Sequence, residues 1–68
     1  MTGNDLRDWR TGRGLTQAEL AEAVGVSREM ASLWERKHGD TDLKQLLRVN
    51  NWRALRRFVR ASDARTGG

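Results

Sequence analysis

The segment GLTQAELAEAVGVSREMASLWERK, residues 14–37, contains two signals for the start of a helix and one for the end of a helix. Thr16 is followed three residues later by a glutamate, which is the capping-box spacing. Ser27 is a second N-cap candidate, and Gly25 suits the left-handed backbone that ends a helix. The pattern predicts two short helices over about residues 16–36, joined by a turn of about three to four residues.

The rest of the chain also predicts helices, because its apolar residues recur at helical spacing and no strand alternation is present. We expect a compact all-α fold of five helices over residues 1–61. The two C-terminal helices are predicted over about residues 41–61, with a break at the Asn50–Asn51 pair. Residues 62–68, SDARTGG, lack large apolar side chains and are predicted to form a disordered tail.

The composition excludes several classes of function. A chain of 68 residues makes one domain with a small core, which leaves little room for a deep substrate pocket. The absence of cysteine excludes disulfides and thiolate chemistry, and the single histidine, His38, has no partner at metal-ligand spacing. No apolar run approaches the about 18 residues of a membrane span. We therefore expect a cytoplasmic protein that is not an enzyme and has no cofactor, metal, small-molecule ligand or membrane contact.

Positive charge is concentrated in the C-terminal half of the chain. Residues 1–37 hold six basic and six acidic groups, whereas residues 38–68 hold seven basic groups against three acidic ones. The sum is a formal net charge of +4. A basic protein fits a polyanionic partner, although this balance alone does not distinguish DNA from RNA.

The pattern LRDWRTGRGLTQAELAEAVGVSREMASLWE, residues 6–35, resembles the phage repressor and Cro family of helix-turn-helix proteins. The resemblance rests on the threonine–glutamine pair at a helix start, on Ala21, Gly25 and Ser27, and on the adjacent tryptophan and glutamate at the end. It implies a lambda-repressor-like fold of five helices, sequence-specific binding to double-stranded DNA, and usually a symmetric dimer. An α-helix fits the major groove, where every base pair presents a distinct pattern of hydrogen-bonding groups.

The resemblance also implies roles for individual residues of the helix-turn-helix. The residues expected to contact base edges are Arg28, Glu29, Ser32 and Leu33. The residues expected to contact phosphates are Gln17, Ser27, Arg36 and Lys37. An arginine suits guanine, a glutamate can accept from cytosine, and a leucine can contact the thymine methyl group. The alternative for these side chains is an ordinary solvated surface position, and an acid in the first turn is favoured by the helix dipole in any case.

The resemblance further implies a structural ion pair between Arg10 and Glu35, beneath the recognition helix. In related repressors, an arginine of the first helix pairs with the glutamate that ends the third helix, and both residues are present here. Such a pair is expected to position helices more than to stabilise them, because desolvation offsets much of the attraction.

The fifth helix has an apolar face and a basic face. The apolar residues expected to form a homodimer interface are Trp52, Leu55, Phe58 and Val59. This face is wider than packing on one small domain requires, which predicts a second copy, but Phe58 could instead close the core of the monomer. The four arginines of the basic face either contact the DNA backbone or form a soluble outer surface.

These features predict an autoregulatory transcriptional repressor that binds an inverted-repeat operator in double-stranded DNA as a homodimer. It would be of the Cro type, or like the compact autoregulators encoded beside phage anti-CRISPR genes, and it would associate with the nucleoid through DNA. The alternative is an antitoxin that neutralises a toxin and represses its own operon. An enzyme or a single-strand RNA binder is disfavoured, because no acid–base constellation is present and the tryptophans occupy helical core positions.

Overall fold

The computed structural model describes the backbone of residues 1–67 and the side chains of residues 1–63, and this part of the chain is built from helices. The helices are α1 (Gly3–Gly12), α2 (Gln17–Val24), α3 (Arg28–Arg36), α4 (Leu43–Leu46) and α5 (Val49–Gly67). Within the described residues, β-pairing is limited to one isolated antiparallel bridge between Thr2 and Asp42. None of the described helices is long and apolar enough to cross a membrane. The predicted all-α fold of five helices is confirmed.

The starts of α2 and α3 and the turn between them follow from three residues. The amide of Thr16 donates to Glu19 Oε1 at 3.0 Å, and the amide of Glu19 donates to Thr16 Oγ1 at 3.0 Å. Ser27 Oγ accepts from the amide of Met30 at 3.1 Å. Gly25 ends α2 with a φ of 84°, the left-handed conformation that favours glycine. The predicted capping box, second cap and turn are therefore confirmed.

One apolar core joins four of the helices and the start of α4. Its completely buried side chains are Leu6, Leu20, Leu43 and Leu55. α2 packs against both α3 and α5, and α1 packs against α3. Burying one leucine side chain stabilises a fold by about 1.5–3 kcal/mol, so these contacts hold the short helices that could not persist alone. Because α3 contributes only its inner face to this core, its outer face remains in solvent.

Gly3 allows the backbone at the start of α1 to approach the backbone at the end of α3 closely, which the sequence pattern does not predict. A Cβ atom at this position would lie 1.9 Å from the carbonyl oxygen of Trp34 and 2.5 Å from that of His38. Beside it, the amide of Asn4 donates to the carbonyl of Gly39 at 2.9 Å. The start of α1 therefore lies directly against the end of α3 and the loop that follows it.

The boundaries of α4 and α5 differ from those predicted. α4 begins at Leu43, and the side chain of Asp42 caps it by accepting from the amide of Lys44 at 3.0 Å. α5 begins at Val49, so the Asn50–Asn51 pair lies inside its first turn and not in a break. Asparagine is a weak helix former, but packing of the later turns of α5 on the core outweighs this local preference.

The C-terminal end of α5 also differs from the prediction. The helix continues to Gly67, beyond the expected end at Ala61 and through most of the segment predicted to be disordered. The carboxylate of Asp63 forms an ion pair with Arg13 and accepts from the Trp9 indole nitrogen at 3.2 Å. These contacts join residues about fifty positions apart, so the composition of the segment could not reveal them. Residue 68 lies outside the described residues.

Candidate nucleic-acid interface

The outer face of α3 brings the predicted base-contact residues together. Arg28, Glu29 and Leu33 are exposed and Ser32 is half-buried, whereas the inner side of the helix is buried in the core. These four side chains, together with Gln17 and Arg36, line one surface groove of about 410 Å³. The groove therefore combines all four residues predicted to contact bases with two of those predicted to contact phosphates.

The charged residues at both ends of α3 are available to an external partner. Within residues 1–63, no ion pair engages the side chains of Arg28, Glu29, Arg36 or Lys37. Glu29 lies in the first turn, where the helix dipole favours an acid, and Arg36 lies in the last turn, where it favours a cation. Lys37 caps the C-terminal end and is exposed. All four side chains are exposed to solvent.

Arg10 and Glu35 form the predicted ion pair. Arg10 Nε donates to Glu35 Oε2 at 2.8 Å, and Arg10 Nη2 donates to Glu35 Oε1 at 2.9 Å. The two side chains are only 11% and 3% exposed. This hydrogen bonding to the carboxylate raises the pKa of the Arg10 guanidinium above its ordinary value. Since the pair is buried, removing one partner would leave a charge without compensation.

Two further hydrogen bonds extend this pair to α2. Arg10 Nη1 donates to the carbonyl of Leu15 at 2.7 Å, and Gln17 Nε2 donates to Glu35 Oε1 at 3.3 Å. The amide nitrogen of Gln17 carries two hydrogens, so the bond to Glu35 leaves one for another acceptor. The network fixes the first turn of α2 to the last turn of α3. The sequence predicted the ion pair but not these two hydrogen bonds, because they depend on the position of the loop before α2 and of the first turn of α2 in the folded chain.

Arg7 is a basic residue of this region that the sequence interpretation did not single out. It shares a second groove of about 410 Å³ with Gln17, Ser32 and Arg36, on the side of the helix-turn-helix that faces α1. Its only ion pair among the described residues is a contact of 3.9 Å with Asp8, in which both side chains are exposed. The available sequence signal was its position one helical turn before Arg10.

The residues predicted for a dimer interface do not form a free surface. Leu55 and Val59 are buried in the chain's own core. Phe58 is half-buried, and its ring meets that of Trp9 edge to face at 5.6 Å and 83°. Trp52 is half-buried beneath the guanidinium of Arg56. Trp52 and Phe58 pack against this core and remain partly exposed, so Phe58 helps to close the monomer.

Comparison with known proteins adds an independent finding. A family model described as helix-turn-helix matches residues 6–51, which is more than half of the chain. Comparisons with curated proteins and with solved structures gave no match. The matched segment runs from α1 to the first turn of α5 and includes every residue that lines the groove along α3.

Proposed function

The chain belongs to the Cro/C1-like helix-turn-helix family of DNA-binding transcription regulators, and on this premise we propose that it is an autoregulatory repressor that binds an inverted-repeat operator as a homodimer. The observation that carries the proposal is the groove along α3, in which exposed polar and charged side chains face solvent. A surface of this kind on a helix suits the major groove of double-stranded DNA.

Base reading is assigned to the outer face of α3. Arg28, in the first turn, would donate to guanine O6 and N7, a contact that contributes about 1–3 kcal/mol of discrimination against other bases. Glu29 would accept from a cytosine amino group. Ser32 would meet the next base edge, and Leu33, which is 37% exposed, would contact a thymine methyl group.

Phosphate contacts are assigned to residues at both ends of α3 and to the start of α2. Gln17 has a free amide hydrogen at the positive end of a helix, where anions are favoured. Ser27 Oγ accepts from a backbone amide, so its own hydroxyl hydrogen is left to donate to a phosphate. Arg36 and Lys37 would hold the backbone at the other end. An α-helix with its side chains is about 10–12 Å in diameter, which fits a major groove about 12 Å wide.

The homodimer requires an apolar surface other than the one expected from the sequence. Leu46 and Val49 are 38% and 63% exposed and lie close in sequence where α4 gives way to α5. Exposed apolar side chains of this size gain free energy by burial against a second copy. We assign the dimer contact to this pair. Leu46→Glu should then yield a monomer in light scattering, whereas Gln45→Glu, at the exposed neighbouring position, should leave the dimer intact.

The repressor function is tested by footprinting on the DNA upstream of the protein's own gene. The expected result is two protected half-sites related by inversion, with centres about 10 base pairs apart. Transcription from that promoter should fall as the protein is added. Equal affinity for this DNA and for scrambled duplex would contradict a sequence-specific operator, and protection without any fall in transcription would contradict repression.

A further inference from the structure

The outer surface of α5 carries a row of four arginines, called here the arginine face: Arg53, Arg56, Arg57 and Arg60. Their spacing of three, four and seven residues places them on one side of the helix. Leu55 and Val59, which are buried in the core, lie on the opposite side. All four arginines are exposed. The face therefore points into solvent along about two turns of α5.

No acidic side chain balances the arginine face. Before Asp63, α5 contains no aspartate or glutamate, and Asp63 itself is engaged by Arg13 and Trp9. Within residues 1–63, none of the four arginines takes part in an ion pair. The chain has 13 basic and 9 acidic residues, so these four arginines equal its whole formal excess of +4. Like charges three or four residues apart oppose helix formation, so the row does not serve the stability of α5.

The arginine face is also a shaped surface. The four arginines and Trp52 together line a shallow groove of about 430 Å³. The guanidinium of Arg56 lies 5.7 Å from the centre of the Trp52 ring, a cation–π contact that restricts this side chain before any partner arrives. Guanidinium groups held in this way suit phosphate oxygens, to which arginine can donate two parallel hydrogen bonds.

The arginine face is separate from the groove along α3. α5 packs mainly against α2, and α2 also packs against α3. The arginine face is on the side of α5 that points away from this packing. Arg48, just before α5, and Asn51, in its first turn, share a groove with Leu33 and Trp34 of α3. The groove lined by the four arginines contains no residue of α3.

Charge and shape decide which partner fits. A second copy of the chain is disfavoured, because two such faces would repel each other. A protein partner would normally bury a cluster of apolar anchors, and the only apolar side chain here is the half-buried Trp52. A regular polyanion needs no such anchor, and DNA is the polyanion that this family already binds. We propose that the arginine face is a second DNA-binding site, which holds the phosphate backbone of a second duplex segment without reading its sequence.

Titration of the ¹⁵N-labelled full chain with a scrambled duplex of about 12 base pairs tests this site, with the Nε–Hε signals of the arginines as the readout. The signals of the arginine face should shift during a second equivalent of duplex, after those of α3 residues. The second step should weaken with salt at a log–log slope of about −3.6, because each of four phosphate contacts contributes about −0.9. In the variant with all four arginines changed to glutamine, saturation should occur at one equivalent.

Matched variants separate this site from general loss of charge. Arg57→Gln should reduce the slope of the second step by about one unit, whereas Lys44→Gln, which also removes one exposed positive charge, should not change it. Arg28→Ala should leave the arginine-face shifts intact. An operator preference that is unchanged in this variant, with these shifts retained, would count against the proposed operator contact alone. Saturation of all signals at one equivalent would overturn the second duplex segment. Tighter binding of polyglutamate than of duplex would overturn the assignment to DNA.

Discussion

Gln17 and Glu35 are 18 residues apart in the chain, and the Gln17 amide nitrogen donates to Glu35 Oε1 at 3.3 Å. The same carboxylate receives two hydrogen bonds from Arg10. A proposed phosphate contact on α2 is thereby tied to the end of the helix assigned to base reading. The ion pair does not need to add net stability for this purpose, because its effect is to fix one helix relative to the other.

Removal of Arg10 should destabilise the fold. Arg10→Met leaves the buried carboxylate of Glu35 without its partner, so the free energy of unfolding should fall by about 3 kcal/mol. The double variant Arg10→Met, Glu35→Leu should recover much of that loss, because no buried charge remains. Urea unfolding measures both effects. Arg7→Met, at an exposed position, is the control and should change stability by less than about 0.5 kcal/mol. A neutral Arg10→Met would show that the pair is not buried in solution.

Base reading and phosphate holding should respond differently to substitution. Arg28→Ala should weaken operator binding by about 1–3 kcal/mol and relax the preference at one base pair per half-site, while binding to scrambled duplex changes little. Lys37→Ala should weaken binding to all sequences alike and reduce the salt slope by about one unit. Gel-shift titrations at two salt concentrations measure both variants. Equal losses on operator and scrambled DNA would make Arg28 a phosphate contact.

Gly3 should tolerate no side chain. Gly3→Ala places a methyl group against the backbone carbonyls of Trp34 and His38, which cannot move without displacing the end of α3. We expect a loss of at least about 1–3 kcal/mol, the usual range for overpacking. Gly12→Ala is the control, because a Cβ there meets nothing within 4 Å, and it should be neutral or stabilising by up to about 1 kcal/mol. If Gly3→Ala and Gly12→Ala have the same melting temperature, the close approach of α1 to the end of α3 is refuted.

Acid should weaken the start of α2 through Glu19. The hydrogen bond from the Thr16 amide lowers the pKa of the Glu19 carboxyl below its ordinary value. Because the pKa of Glu19 is lower in the folded state than in the unfolded state, the ionised carboxylate stabilises the fold. This stabilisation is fully present above the unfolded pKa of about 4.3 and is lost as the pH falls through the folded pKa. An NMR titration of the Glu19 carboxyl should show the lowered pKa. Thr16→Pro removes the amide donor at a φ of −81° that proline can adopt, so it should move the pKa of Glu19 back toward the ordinary value, whereas an unchanged titration would exclude this hydrogen bond as the cause.

The end of α5 should loosen when Asp63 loses its charge. Asp63→Asn removes the ion pair with Arg13, so backbone amides near residues 62–67 should exchange hydrogen faster. The change in global stability should stay below about 1 kcal/mol, because the carboxylate is largely exposed. Asp8→Asn is the matched control, since its ion pair with Arg7 is also exposed. Equal exchange rates in both variants would mean that Asp63 does not hold the end of the helix.

Much of the candidate interface could be predicted because it depends on short spacings. The caps at Thr16 and Ser27 and the turn at Gly25 involve residues at most four positions apart, so the chain specifies them locally. Given the bounds of α3, the helical period alone puts Glu29 and Leu33 on the face that looks away from Ala31, with Arg28 at the flank of that face. The pairing of Arg10 with Glu35 was available only through resemblance to a family, since the two lie 25 residues apart.

The sequence by itself therefore determined the all-α class, the caps of the helix-turn-helix and the polar outer face of α3, because each rests on interactions within one or two helical turns. The tertiary structure alone decided that Leu55 and Val59 close the monomer core, because burial depends on what packs opposite and not on the width of an apolar face. It also decided that α5 continues beyond Ala61, through the contacts of Asp63 with α1 and the turn that follows it. Contacts across fifty residues of chain leave no local pattern, since they exist only once the helices have packed.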